Sequence, residues 1–409
     1  MRYSGLFPKT LKTAPSGAES LNHKLLVRAG YIDQLMAGSF TLLPLGFRVV
    51  EKIKEIIREE LNKTGAQELL MPLLHPRDIW DQSGRWSKPE VRKIMYQFKD
   101  IHDKEFGLSF THEEIVMDLL SKFIQSYKDL PVKVYHFSTK FRNEPRAKSG
   151  ILRGREFMMK DLYSAHTTEE DMYLYYNQIK DIYPKIFKRI GLEVKVVEAS
   201  GGVFTPSHSH EFQVLCRVGE DTIFYCDKCD FAQNKEIFQG QEGSKCPNCD
   251  GKILTAKSIE VGNIFPLGTD FSINQKVFYT DANGKQNPIW FASYGIGPTR
   301  VLGTLAEVFN DENGLIFPKS VAPFDVHLIS LSKTEEAKKI EEELEKNGFE
   351  VLYDDREVTA GEKFATADLI GIPVRLVVSE KTGGKIEFKQ RNKKESQLLT
   401  LEEVLEKLK

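Results

Sequence analysis

The chain has 409 residues, 41% of them hydrophobic and 28% charged, with a net charge of −2. That length exceeds what a single core organises well, so two or three domains are expected. The balanced charge excludes a general polycation, so any nucleic acid must meet a local basic patch. No apolar run approaches the ~20 residues of a membrane span, and no apolar signal segment opens the chain, so a cytoplasmic protein is expected.

Residues 20–36 place apolar side chains at helical spacing, and a short strand and turn follow at 39–46. Residues 46–64 form an amphipathic helix with Val49, Val50, Ile53, Ile56, Ile57 and Leu61 on one stripe, closed by Gly65. The next strand, 67–74, carries Pro72, which suits an edge or an interface. Trp80 and Trp86 fall in an expected loop. Thr111 and Glu114 have the spacing of a capping box opening a helix at Glu113. That role explains neither His112 nor Glu113.

Two strand-like runs flank a loop rich in Gly, Lys and Arg at 142–155, which implies an antiparallel hairpin. Alternation puts Arg142 and Glu144 on one face, and Arg153, Arg155 and Phe157 together. Guanidinium forks, a carboxylate and a ring suit a nucleotide. A solvated basic hairpin is the plainer alternative. A helix at 168–190, a strand at 193–198, a close-approach turn within 199–216 and a strand from His210 follow.

Four of the five cysteines form two CxxC pairs, Cys226/Cys229 and Cys246/Cys249. In a chain this long they point to a four-thiolate zinc site rather than a disulfide scaffold. A redox dithiol pair is the alternative. Cys216 ends an apolar strand and reads as a buried thiol. Further strands lead to Gly295-Ile-Gly-Pro298-Thr-Arg300, where Pro298 opens a helix and Arg300 sits in its first turn among core residues, so it needs an anionic partner. Residues 319–323 look like a linker. Beyond them helices and strands alternate as in a small α/β sheet, ending in a helix over 401–408 capped by Thr400 and Glu403. Lys389, Arg391, Lys393 and Lys394 make a local basic patch.

No GxxxxGK[ST] is present and no GxGxxG follows a strand, so neither the P-loop nor the Rossmann route to a nucleotide is open. The helix–strand unit with Pro72, Phe141-Arg142-Asn-Glu144 with Arg153-Gly-Arg-Glu-Phe157, and the segment ending at Arg300 resemble, in this order, the three motifs of class II aminoacyl-tRNA synthetases. Thr111-His-Glu-Glu, Met158-Met-Lys-Asp, Ser209-His-Glu-Phe-Gln, Glu260-Val-Gly-Asn-Ile-Phe and Asp354-Asp-Arg narrow the resemblance to the bacterial-type prolyl-tRNA synthetases over nearly the whole chain.

The resemblance implies an α+β fold. A class II antiparallel sheet flanked by helices would span 1–216 and 259–317. A zinc-ribbon-like insert would occupy 217–258, and an anticodon-binding α/β domain 318–409. It implies a homodimer with Pro72 at the interface, and activation of L-proline by ATP with Mg2+ before transfer to tRNA(Pro). The implied catalytic residues are Arg142 and Arg300. For ATP they are Arg142, Glu144, Arg153, Phe157, Glu260 and Arg300, and for proline Thr111, Glu113, Arg142 and His166. Arg356, Lys389 and Arg391 would meet the anticodon. Two departures stand out. Only about forty residues, 228–267 at most, occupy the place of the large editing domain, so editing of mischarged tRNA within the chain is not expected. Asn263 stands where the family often has histidine. A class II enzyme for another amino acid, a non-catalytic paralogue and a zinc-ribbon nucleic-acid protein are the competing readings.

Overall fold

The computed structural model describes residues 1–202, 205 and 207–409. Val203, Phe204 and Pro206, part of the expected close-approach turn, lie outside the described residues. A nine-stranded sheet forms the centre. Its order is His208–Leu215, Lys195–Ser200, Ala232–Asn234, Asp221–Cys226, Ile253–Gly268, Trp290–Ile296, Glu156–His166, Val132–Phe141 and Gln67–Glu68. Neighbours run antiparallel except at two short pairings, Gln67–Glu68 on Val132–Phe141 and Ala232–Asn234 on Lys195–Ser200. The strand Ile253–Gly268 organises it, pairing in turn with Asp221–Cys226, His208–Leu215 and Trp290–Ile296.

One sheet face is apolar and carries the helices Pro44–Asn62, Glu169–Ile190 and Pro298–Val308. The stripe expected on the first buries Val49, Val50, Ile53 and Ile57 completely, which is what holds a helix with so many exposed Lys and Glu to the sheet. A second apolar cluster, around Val116, Met117, Leu120, Tyr163 and Phe291, closes one end of the other face. A channel remains open between them.

Several expectations are corrected. The helix expected over residues 20–36 spans only Leu21–Arg28, because Gly30 takes a positive φ of 78° and turns the chain into the strand Ile32–Met36. The helix Arg77–Gln82 runs into the expected Trp80–Trp86 loop, and both indoles are buried in one cluster with Phe110. The expected domain boundary at 258/259 falls inside the continuous strand Ile253–Gly268, and two strands of the expected insert belong to the central sheet. The segments 227–231 and 235–252 stand outside it, around a small core of Cys226, Cys246 and Ile253 with Phe224, Phe231 and Phe238 packed on it. The expected linker is packed: Val321 and Ala322 are fully buried in the main hydrophobic core.

The C-terminal unit is a five-stranded sheet in the order Val351–Asp354, Val326–Leu331, Val374–Ser379, Ile386–Gln390, Ser396–Leu399, with its first three strands parallel. The Thr400/Glu403 capping box is present. The N-terminal segment docks on its edge, where the Met1 ammonium donates to the Val351 carbonyl at 2.7 Å and Tyr353 N–H to Met1 O at 2.8 Å.

Candidate active site

The hairpin Val132–Phe141 with Glu156–His166 builds the site. Its register is unbroken from Val132↔Ala165 to Phe141↔Glu156. Alternation sends Phe157, Met159, Asp161 and Tyr163 into the open channel, and Leu162, Ser164 and His166 toward the helices. The channel is a cavity of about 460 Å3 whose walls include Thr111, Glu113, Arg142, Glu144, Arg153, Phe157, Glu260 and Arg300. Residues from distant parts of the chain are thus gathered as expected.

At one end, Arg142 leaves the hairpin as its backbone N–H donates to the Arg155 carbonyl at 2.8 Å. Its guanidinium carbon lies 5.3 Å from the Phe157 ring centre and the group donates to the Phe110 carbonyl at 3.4 Å. No carboxylate pairs with it among the described residues. Burial, then the neighbouring Arg300, holds its pKa below the usual arginine range. Two guanidiniums facing one cavity, one of them without a carboxylate partner, favour an anion with several charges.

Arg300 donates to the Leu152 carbonyl at 2.9 Å, the Glu260 carbonyl at 3.0 Å and the Glu260 carboxylate at 3.3 Å. It projects from the first turn of a helix begun by Pro298. Arg153 bridges Glu144 at 2.9 Å and Glu220 at 2.6 Å. Burial alone would raise the Glu144 carboxyl, but the hydrogen bonds from Arg153 and the Arg146 N–H, with the charges of Arg153 and Arg142, together lower the pKa. Glu211, behind Glu260, is pushed up to about 8 by burial and then by the Glu260 charge. Glu260 thus lines the cavity beside Arg300, a carboxylate that suits a hard divalent cation bridging to phosphate. The amide oxygen of Asn263 is buried there without a partner among the described residues.

At the other end, Thr111 donates its hydroxyl to Glu113, and both are buried. Burial pushes the Glu113 carboxyl up to about 7 against the opposing pull of Arg85. This overturns the expected capping box. His112 is the N-cap with no side-chain cap bond, and Glu114 instead closes a buried ion pair with Arg85 at 2.7 Å. The fold needs Thr111 for the cavity and Glu114 for the core. A carboxyl held near neutrality in a small closed end suits an ammonium ligand.

His166 is not at this site. It lies on the helix face of its strand, fully buried, bound to Asp171 at 2.7 Å and tilted against Tyr175. Parity excludes it, because it is an odd number of residues from Phe157 and Asp161. Asp161 and Tyr163 take that wall instead. The alternation that selected Phe157 continues through them.

The four cysteine sulfurs lie within 4.8 Å of one another, with Cys226–Cys249 at 3.5 Å and Cys229–Cys246 at 3.6 Å. A tetrahedral zinc thiolate has sulfur–sulfur edges of ~3.8 Å. Backbone N–H groups of Lys228, Asn248 and Gly251 point at Cys226, Cys246 and Cys249 at 3.3–3.4 Å, donors that favour thiolate over thiol. The donor set fits zinc and leaves no place for a fifth group. Cys216 is half-buried against the main core.

In the C-terminal unit, Arg391 is not free for a ligand. It is buried and forms a bidentate pair with Asp311 at 2.6 and 2.7 Å, and donates to the Asp368 carbonyl. Arg356 pairs with Asp354 and covers the Tyr3 ring at 4.0 Å. Lys389 stays half-exposed beside Arg375. Pro72 is exposed between Leu70 and Leu74, and its carbonyl accepts from His75 and His112 at 3.0 and 2.9 Å.

A family description, "tRNA synthetase class II core domain (G, H, P, S and T)", matches residues 96–309, and "Anticodon binding domain" matches 325–409. The Proline--tRNA ligase of Agrobacterium fabrum is 38% identical over 442 residues, covering 100% of this chain and 99% of the relative. That of Dehalococcoides mccartyi strain 195 is 33% identical over 561 residues, covering 100% and 98%. A solved Giardia lamblia prolyl-tRNA synthetase in complex with prolyl-adenylate shares the fold, with a TM-score of 0.78 at 20% identity, over 93% of this chain and 74% of that one.

Proposed function

The chain belongs to the proline–tRNA ligase family of class II synthetases, and on that premise we propose that its cavity joins L-proline to ATP and passes the prolyl group to the 3′ end of tRNA(Pro). The observation that carries the reading is one cavity with Arg142, unpaired with any carboxylate among the described residues, beside Arg300 at one end, and a buried carboxyl with a pKa of about 7 at the other. The first end suits a triphosphate and the second a small cationic amino acid.

In this reading the proline carboxylate attacks the α-phosphorus of ATP. A carboxylate oxygen–phosphorus bond forms, the bond to the β-phosphate oxygen breaks, and pyrophosphate leaves. Arg142 spans the carboxylate and the α-phosphate, so it meets the charge that builds in the transition state. Arg300 exchanges Glu260 for the γ-phosphate, and Arg153 helps hold the chain of phosphates. Phe157 stacks on adenine and Glu144 accepts from its amino group. Glu260 would be a ligand for Mg2+, which would neutralise phosphate charge when bound. Thr111 and Glu113 take the secondary ammonium. The terminal ribose hydroxyl of tRNA then attacks the prolyl carbonyl carbon and AMP leaves.

Cys226, Cys229, Cys246 and Cys249 hold a structural zinc in this reading, fixing a tip whose own core is small. Recognition of tRNA extends to the C-terminal unit, with Arg356 and Lys389 toward the anticodon. A second copy of the chain covers Pro72, Leu70 and Leu74 in a homodimer. The alignment to the Dehalococcoides relative leaves about 150 positions with no residue of this chain, which supports the absence of built-in editing. Among the described residues no helix is long and apolar enough to cross a membrane, consistent with work in the cytoplasm. Pyrophosphate exchange driven by proline tests the reading, with Arg142→Ala as the variant expected to lose it while keeping its fold.

A further inference from the structure

Beneath the closed end of the cavity lies a buried polar cluster. His112 Nδ1, His136 Nε2 and a carboxylate oxygen of Asp161 converge within 4.8 Å of one another, all three residues buried. Two imidazoles and a carboxylate at that spacing are a metal-type donor set. The centre is already taken. Lys140 Nζ lies 2.8 Å from His112, 3.3 Å from His136 and 2.6 Å from Ser138 Oγ, and forms an ion pair with Asp161. Lys140 is itself fully buried. The side chain of a strand residue thus serves as the resident cation.

The arrangement points to the cavity. Lys140, His136 and His112 all meet Asp161 at Oδ2 and do not themselves line the channel, whereas Asp161 does. Burial would raise its carboxyl, but the Lys140 ammonium, the His136 hydrogen bond and the two imidazoles together hold it well below the usual range. A buried lysine and aspartate make a costly way to stabilise a core. Here the lysine and the imidazoles keep an anion ionised at a wall where burial alone would neutralise it, as it nearly does to Glu113. His112 belongs to the same cluster, and its backbone N–H donates at 3.1 Å to the hydroxyl of Tyr163 on the same wall. It sits between Thr111 and Glu113, so cluster and binding residues are one rigid unit.

We propose that Asp161, ion-paired to the buried ammonium of Lys140 and lining the channel, is the second anionic contact for the substrate's ammonium, opposite Glu113. A secondary ammonium carries two N–H groups, and two carboxylates give each an acceptor. Asp161 is a specificity-determining binding residue and Lys140 a positioning one. The inference rests on the cavity end at Thr111 and Glu113 holding the amino acid.

The test uses the full-length protein and two ligands, proline and tetrahydrofuran-2-carboxylate, which keeps ring and carboxylate but replaces the ammonium with oxygen. Asp161→Asn is expected to raise the KM for proline about ten- to a hundredfold, the effect of a lost charged hydrogen bond. The inhibition constant of the oxygen analogue and the KM for ATP should stay at wild-type values. Because Asp161→Asn leaves a buried ammonium unpaired, the double variant Asp161→Asn with Lys140→Met is measured beside it. It is expected to regain the wild-type Tm while its proline KM stays high. Equal weakening of both ligands by Asp161→Asn, or recovery of wild-type proline affinity in the double variant, would show that Asp161 serves only as the counterion of Lys140. Wild-type protein with no proline-driven exchange would instead remove the premise about the amino-acid end.

Discussion

Arg300 rests on Glu260, donating to its backbone carbonyl at 3.0 Å and to its carboxylate at 3.3 Å. The arginine is thereby aimed into the cavity before any nucleotide arrives, and the carboxylate partner is the group that a phosphate must displace. Arg300→Lys keeps the charge but loses the planar fork and its reach to the Leu152 carbonyl. Proline-dependent exchange in that variant should fall by about a hundredfold or more, with Tm unchanged. Near wild-type exchange would take Arg300 out of the ATP site.

The Glu113 carboxyl, raised to about 7 by burial, gives proline binding a pH dependence. An ammonium needs the carboxylate form. Below pH 7 the free site is protonated, so binding must displace a proton. Affinity for proline should hold above pH 7 and then fall, approaching tenfold per pH unit, as pH drops toward 5.5. Calorimetry in buffers of different ionisation enthalpy should detect proton release near pH 6. A flat profile with no proton release would contradict the role given to Glu113.

Metal analysis of freshly purified, reduced protein should find about one zinc per chain, as a single four-thiolate site requires. Cys246→Ser should lose most of it and lower Tm, because binding free energy at such a site is folding free energy. Full stability in a metal-free preparation would contradict a structural role.

Arg391, expected at the anticodon, instead ties the C-terminal unit to the hairpin that follows the Arg300 helix. Arg391→Ala strands Asp311 at a largely buried contact and should cost on the order of 3 kcal/mol in urea unfolding at neutral pH. The sign of the pH effect follows from Asp311, whose carboxyl the Arg391 hydrogen bond lowers to about 2. The stabilisation is present above the unfolded carboxyl range and is lost as pH falls toward 2. Unchanged urea stability would show the pair to be idle.

The legible features were those that local chemistry specifies. The hairpin could be read because alternation and a Gly-rich loop define it. The Pro44–Asn62 stripe, the four cysteines and the Thr400 cap are likewise written in short-range spacing. Thr111 and Glu114 misled because their spacing satisfies a capping box that the fold does not use. What a sequence cannot show is that Arg85 reaches Glu114 from another segment. His166 could have been excluded by counting from Phe157, since parity alone puts it on the helix face. Arg391 could not, because its partner lies 80 residues away in another unit. Lys140 and Asp161 were invisible as a pair for the same reason, being joined only by the register of two strands.

The central claim is that this cavity activates proline through Arg142. The most direct measurement is ATP–pyrophosphate exchange by the wild-type protein and by Arg142→Ala across a panel of amino acids that includes threonine, glycine and alanine. The account predicts exchange driven by proline far above the others, and its loss in the variant with an unchanged Tm. Preferred exchange with threonine or glycine, no exchange at all, or near-normal proline exchange in Arg142→Ala would contradict it.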